Sequence, residues 1–285
     1  MWWLAGCVRL TADDRDLRLP HWADVSVGSG ATCAVRLDGT LRCWGEGATF
    51  DWAEVPPPGD DHAAVSVGYR HACALRVDGG LRCFGDEVVF DGGHPTDPDG
   101  PFTWVEAGTD RTCAGDDDGG FTCFGGDTSW QDGAPYDTEI RDLTLAGHGC
   151  VLGVDAALSC WGAGAYTPDT DSMLDPVQVA LGEDLSLALL EWDGAVWAGD
   201  TITPSRALTQ VEGGPFTQID QVGAGLTCGL VRSEISCVGQ VADALLEPPS
   251  GPWDTVSVGW SVGCALDGSH RMGCWGDAAQ SYLPR

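Results

Sequence analysis

The chain has 285 residues, with 43 acidic against 14 basic side chains and a formal net charge of −29. That balance excludes sequence-independent nucleic-acid binding, which needs clustered cations against phosphates. All basic residues are Arg and Asn does not occur, so N-glycosylation is excluded, and no stretch approaches the roughly 18 consecutive apolar residues of a spanning helix. A 43% hydrophobic content with 13 Trp is enough for a large core, while 41 Gly and 16 Pro favour many turns over long helices.

Residues 1–20 read as an N-terminal segment and linker, and residues 21–285 as one repetitive domain. In the segment, Leu4-Ala5-Gly6-Cys7 resembles the lipobox at which bacterial lipoproteins are cleaved and lipidated on Cys. Met1-Trp2-Trp3 ahead of it has no charged region and no apolar run of about 7 to 15 residues, so it cannot act as a secretion signal as written; a start codon further upstream is expected. The alternative is a frayed terminus with a free thiol at Cys7.

From Val25 the chain repeats. Val25 to Gly45 reads VSVGSGATCAVRLDGTLRCWG and Val65 to Gly85 reads VSVGYRHACALRVDGGLRCFG. The frame returns at Val105, Leu145, Val222 and Val256, with a degenerate copy from Ala180, making seven. First cysteines stand at 33, 73, 113, 150, 228 and 264, with Leu187 in the fifth slot, giving intervals of 36 to 41 residues. These are close to the ~40 residues of one propeller blade. Most copies hold a short strand ending in Gly, then two segments flanking an Asp-Gly turn, the pattern of a hairpin.

The hairpin register follows from the cysteines. A three-residue loop at Leu37-Asp38-Gly39, with Gly39 left-handed, pairs Val35 with Leu41 and Cys33 with Cys43, within disulfide reach. A two-residue loop, the commoner choice, would set Cys33 opposite Trp44. Twelve of 13 cysteines fall into pairs of this kind: Cys33 with Cys43, Cys73 with Cys83, Cys113 with Cys123, Cys150 with Cys160, Cys228 with Cys237, and Cys264 with Cys274. In the fifth copy both positions are lost together, to Leu187 and Trp197. Six intra-blade disulfides imply an oxidising compartment, secreted or at the cell surface. Cys7 is the odd one out, which strengthens its lipidation reading.

The copies resemble the regulator of chromosome condensation repeat family, whose members form seven-bladed β-propellers. In the first copy the resemblance is carried by Val27, Gly28, Cys33, Ala34, Val35, Asp38, Gly39, Cys43, Trp44 and Gly45, and it extends over residues 22 to 285. The implied fold is all-β, a seven-bladed β-propeller. The family's tail after Trp-Gly is missing and replaced by acidic, Pro-rich segments such as Glu46 to Gly59 and Asp86 to Pro101, so the outer strand of each blade is open. Ring closure is open too, between Arg18-Leu19-Pro20 and Tyr282-Leu283-Pro284.

Site signals are sparse. Gly259-Trp260-Ser261-Val262-Gly263 matches the nucleophile elbow, but it fills the slot between a repeat Gly and Cys264, where no strand-turn-helix is expected. No His stands in a metal-ligating frame and no C-x2-C pattern occurs, so no metal or cofactor is expected. Asp116-Asp117-Asp118 and Asp97-Pro98-Asp99-Gly100 read as turn chemistry and solvated acid, with calcium in a loop as the alternative. Trp44, Phe84, Phe124, Trp161 and Trp275 repeat with the blade and are expected between blades. The loop before the first Cys varies most, carrying Tyr69 and Arg70, Asp110 and Arg111, His148, Glu183 and Asp184, and Trp260 in successive copies. Equivalent loops gather on one propeller face, so these are the candidate binding residues. The expectation is a monomeric, non-catalytic propeller that binds a basic protein partner and meets a membrane only through lipid on Cys7. The alternatives are a hydrolase or lyase with carboxylates in the central channel, and the guanine nucleotide exchange that the family name implies.

Overall fold

Short apolar runs broken every few residues by Gly and Asp cannot sustain a helical stripe and read instead as strands. The computed structural model describes residues 21–45, 56–85, 100–125, 134–162, 165, 167–168, 175–182, 186–200, 208–222, 226–239 and 247–276. Its regular elements are all strands, in seven antiparallel sheets. Blade one holds β1 (Trp22–Val27), β2 (Ala31–Arg36) and β3 (Leu41–Gly45), and blade two β4 (His62–Val67), β5 (His71–Arg76) and β6 (Leu81–Gly85). Blade three holds β7 (Trp104–Ala107), β8 (Arg111–Gly115) and β9 (Phe121–Gly125), and blade four β10 (Ile140–Leu145), β11 (Gly149–Gly153) and β12 (Leu158–Trp161). Blade five holds β13 (Pro176–Leu181), β14 (Ser186–Glu191), β15 (Val196–Asp200) and an outer β16 (Thr209–Val211). Blade six holds β17 (Gln218–Val222), β18 (Leu226–Val231) and β19 (Glu234–Val238), and blade seven β20 (Trp253–Val258), β21 (Val262–Asp267) and β22 (Met272–Gly276). Among the described residues only blade five shows a fourth strand; residues 46–55 and 86–99 lie outside them, as do both candidate closing segments, 18–20 and 282–284.

The three-residue hairpin loop forms as the cysteine argument requires. Val35 pairs with Leu41 and Cys33 with Cys43, the Arg36 N–H donates to Thr40 O at 2.9 Å, and Gly39 takes φ +81°. The Asp closes the turn with its own side chain: Thr40 N–H donates to Asp38 Oδ1, and Asp78, Asp155 and Asp193 do the same in their copies. Asp116 Oδ1 likewise accepts from the N–H groups of Asp118 and Gly120, which is turn chemistry.

All six expected disulfides are present, each joining the second strand of a blade to its third. Cys33 is bonded to Cys43, Cys73 to Cys83, Cys113 to Cys123, Cys150 to Cys160, Cys228 to Cys237 and Cys264 to Cys274, with Cα atoms 4.0 to 4.1 Å apart. The two ends of a bridge differ in cover. The first cysteine is fully buried in every copy, whereas Cys43, Cys160, Cys237 and Cys274 on the third strand are only partly buried and Cys83 and Cys123 retain slight exposure. In blade six the nine-residue spacing reflects a two-residue turn, Arg232-Ser233, with φ of 54° and 65°.

One register differs from expectation. In blade five Leu187 lies opposite Gly199 and Trp197 opposite Leu189, and the pair in the disulfide slot is Ala188 with Ala198. The reason is the turn between β13 and β14. Gly182 N–H closes it on Ser186 O, four residues on, where Gly28 closes on Ala31, three residues on. The longer turn slides the following strand by one position, and counting back from Asp193-Gly194 instead of forward from Gly182 gives the right frame.

Seven apolar clusters fill the seven seams between neighbouring blades. Blades one and seven meet directly: Trp22, Val25 and Val27 of blade one pack against Val262, Cys264 and Leu266 of blade seven. Trp22 N–H donates to His270 O across that seam. The aromatics after the second Cys all enter a seam with the preceding blade, as expected. Trp161 and Trp275 are buried because each lies over a Gly across the hairpin, Gly149 and Gly263. Trp44, opposite Thr32, is only half-buried.

Candidate functional site: the central channel and its mouth

The first strand of every blade is an edge strand facing the channel, so its outward N–H groups have no ladder partner of their own blade. Side chains of the preceding blade satisfy them. Near one end of the channel Ser26 Oγ accepts from Val67 N–H, Ser66 Oγ from Ala107 N–H, Thr144 Oγ1 from Leu181 N–H and Asp220 Oδ2 from Val258 N–H, at 2.8 to 3.3 Å. Glu106 accepts from Leu145 N–H in the same layer. The circle is completed by Ser257, whose Oγ accepts from Val27 N–H at 3.0 Å, joining blade seven to blade one. The slot in blade five is Ala180. A deeper layer repeats the device: Asp24 accepts from Val65 N–H, Asp142 from Val179 N–H, Gln178 from Ile219 N–H and Gln218 from Val256 N–H.

Four carboxylates are thereby carried into the channel: Asp24, Glu106, Asp142 and Asp220. Burial raises Asp24, and it pushes Asp142 up to about 6 even though two backbone N–H groups oppose the shift. Glu106 is raised furthest, to about 8, first by burial and then by the negative charges of Asp220 and Asp142. At pH 7 the Glu106 carboxyl therefore holds its proton.

The channel opens into a cavity of about 170 Å³ at the end where the first strands turn into the second, and Tyr69 and Trp260 stand among its lining with Glu106 and Asp220 below. The turns on this face are short: Gly28, Gly68 and Gly259 close on the residue three places on, leaving two side chains each at the tip. Tyr69 and Trp260 are such tip residues and are exposed. Arg70 is an exposed tip neighbour, and Asp110 is half-buried and paired with Arg111 at 2.8 Å.

Two expected face residues are corrected. His148 is fully buried and Arg111 nearly so, because the residue two before the Cys is already the first of, or the last before, the second strand and points into the seam. Burial lowers His148 to about 4, which keeps its imidazole neutral at pH 7. His71, at the same position in blade two, is likewise buried, with Nε2 2.8 Å from Thr112 Oγ1 of blade three. Glu183 and Asp184 lie outside the described residues, as do Cys7 and residues 97–99. Trp260 and Ser261 form a strand-to-strand turn, so Ser261 has no nucleophile-elbow geometry. Among the described residues no cluster of three or more His, Cys, Asp or Glu is placed to hold a metal, and no helix is long and apolar enough to cross a membrane.

The channel acceptors were not singled out by the sequence reading, although the signal exists: the Ser of Val-Ser-Val recurs at 26, 66 and 257. The opposite face was missed too. There the hairpin tips expose Leu37, Val77, Val154 and Trp192, all the residue before the turn Asp.

Seven sheets in a closed ring around a polar channel, with aromatic side chains at its mouth, make this an all-β seven-bladed β-propeller. Within that class, the family profile described as the regulator of chromosome condensation (RCC1) repeat matches residues 22–48 and 63–88. Among solved structures, Prp20p from Saccharomyces cerevisiae is 13% identical over 88% of this chain and 71% of its own, with a TM-score of 0.50. KlHsv2 with loop 6CD replaced by a Gly-Ser linker is 9% identical over 90% and 93%, with a TM-score of 0.59. The ectodomain of the Physcomitrella patens receptor kinase CR4 is 22% identical over 88% of this chain, with a TM-score of 0.48, and this chain spans 61% of its length. A comparison with curated proteins finds no match. The likenesses to Prp20p and KlHsv2 establish the fold.

Proposed function

We propose that this propeller is a non-catalytic binding module of an oxidising compartment, secreted or held at the cell surface by lipid on Cys7, and that it docks a protein partner at the channel mouth. The observation that carries this reading is the pair of exposed aromatic side chains, Tyr69 and Trp260, lining one cavity. Large aromatics in such positions anchor interfaces. A protein partner is in keeping with Prp20p, whose structure is described with its binding to Gsp1p and histones. The six disulfides support an oxidising compartment, and a cytosolic exchange activity fits that setting poorly. A net charge of −29 favours basic partners and makes association weaken with salt.

The hydrolase or lyase reading has Glu106 in its favour, a carboxyl protonated at neutral pH. Against it, Glu106, Asp142 and Asp220 each accept a backbone N–H of the next blade, a structural duty that accounts for their presence.

The test is site-specific photocrosslinking in the native host, with a photoreactive amino acid at Tyr69 or Trp260 and, for comparison, at Val77 or Trp192 on the opposite face. A discrete protein adduct from 69 and 260 alone is expected; the same adduct from 77 and 192, or none from either face, overturns the assignment. Intact mass of the non-reduced protein reports the lipid on Cys7 in the same preparation.

A further inference from the structure

The channel mouth has a chemistry more specific than that of a general docking rim. Its cavity of about 170 Å³ lies far above the roughly 10–15 Å³ that admits one water, so a side chain can enter it. Tyr69 comes from blade two and Trp260 from blade seven, the two neighbours of blade one, whose own tip residues are the small Ser29 and Gly30. The aromatic pair therefore flanks a low gap in the rim. Glu106 and Asp220 line the same cavity from blades three and six. Aromatic faces and carboxylates have one ligand preference in common, a cation: the ring quadrupole attracts it, and the carboxylate pairs with it.

We propose that the channel mouth receives one cationic side chain, an Arg or Lys presented by a basic segment of the protein partner, held between Tyr69 and Trp260 with its charge toward Asp220 and Glu106. This deepens the docking assignment above and rests on it. Steering follows from the strongly acidic chain, which concentrates basic segments at its surface before any specific contact forms.

Proton linkage follows from the placement of Glu106. Facing it are Ser66 from β4, the Leu145 N–H and Asp142 from β10, Asp220 from β17, and on the paired strand β8 Cys113, which is held in a disulfide. The charged groups in that set are all acids, so its proton stays on at pH 7; an arriving cation favours the carboxylate and expels that proton. Affinity for the cation accordingly rises as pH rises toward about 8.

The experiment uses the whole oxidised protein, titrated calorimetrically with octa-arginine and with octa-citrulline, its neutral counterpart, at pH 6.5 and 8.5 in about 0.15 M salt, where surface charge is screened over ~8 Å. One equivalent of octa-arginine is expected to bind, tighter at the higher pH, with proton release seen as a dependence on buffer ionisation heat, while octa-citrulline does not bind. The Tyr69→Ala/Trp260→Ala variant and the Asp220→Asn variant should each weaken it about tenfold or more, the scale of one lost desolvated contact. Asn keeps an oxygen for the Val258 N–H, and both aromatics are exposed, so neither change removes a core contact. A control on the opposite face that also removes one negative charge, Asp193→Asn, should stay within about twofold of the parent.

Several equivalents bound, or equal weakening by the control, would show a diffuse acidic surface and overturn the pocket. If the crosslinked partner is lost on Tyr69→Ala/Trp260→Ala but unaffected by Asp220→Asn, the cation pocket fails while the docking face stands. If the partner ignores both variants, both assignments fail.

Discussion

Replacing Glu106 with Gln isolates the consequence of seating a carboxyl in the channel. Its ordinary value of 4.5 becomes about 8 in the fold, so the folded state holds a proton that the unfolded chain gives up. The stabilisation is fully present below about pH 4.5 and is lost as pH rises through about 8. Each pH unit inside that window costs up to about 1.4 kcal/mol. Over the two units from pH 5.5 to 7.5 the ceiling is about 2.7 kcal/mol, and because channel solvent reaches Glu106 we halve it, to about 1.4 kcal/mol. Gln keeps an oxygen for the Leu145 N–H and removes the titration. Urea unfolding with disulfides intact, repeated across pH 5 to 8.5, should show Glu106→Gln losing about that much less stability than the parent over the window. A residual slope from Asp142 and Asp24 remains in both proteins, below about pH 6 for Asp142. Parallel curves for parent and variant would refute the reasoning, since they would mean that Glu106 is ionised in both states.

Other consequences can be checked with the same unfolding assay. Ala188→Cys/Ala198→Cys should oxidise to a seventh disulfide and raise stability by about 2–3 kcal/mol, whereas Leu187→Cys/Trp197→Cys, whose residues do not face each other, should stay reduced by thiol count. Ala156 occupies the left-handed slot held by Gly39 in blade one, at φ 65°, so Ala156→Gly should stabilise by about 0.5–1 kcal/mol, and an unchanged or lower urea midpoint would contradict that. A Cβ at Gly149 would run into the Trp161 indole, so Gly149→Ala should cost about 1–3 kcal/mol and shift the near-ultraviolet circular dichroism of that Trp.

Local geometry was legible in the sequence where one hairpin contains its own evidence. Cys33, Asp38, Gly39 and Cys43 fix a turn, a register and a bond within eleven residues, and the fold follows them. The same holds for Cys83, Cys123, Cys160, Cys237 and Cys274, each of which meets the cysteine nine or ten residues before it. The reading failed where a turn changed length, because a frame carried forward from Gly182 cannot sense the extra residue before Ser186. It misplaced His148 and Arg111 because the tips, one residue long before His148 and two before Arg111, leave no room for a further exposed side chain. The channel acceptors were invisible for another reason. Polar alternation as in Val25-Ser26-Val27 fits any half-solvated strand, and only the ring shows that Ser26 serves the backbone of the next blade. Tyr69 and Trp260 were found as varied positions, but their convergence on one cavity is a property of the closed circle.

The disulfides have a consequence for how this molecule comes apart. Every bridge begins and ends inside one hairpin, and none crosses from one blade to another. Oxidation therefore armours each sheet individually while the circle itself is held by packing and by hydrogen bonds such as Val27 to Ser257. A protease that cuts the chain in two linkers would free a section of the ring with its bridges intact and no reductant present, so the links between blades, rather than the blades, set the lifetime of the whole.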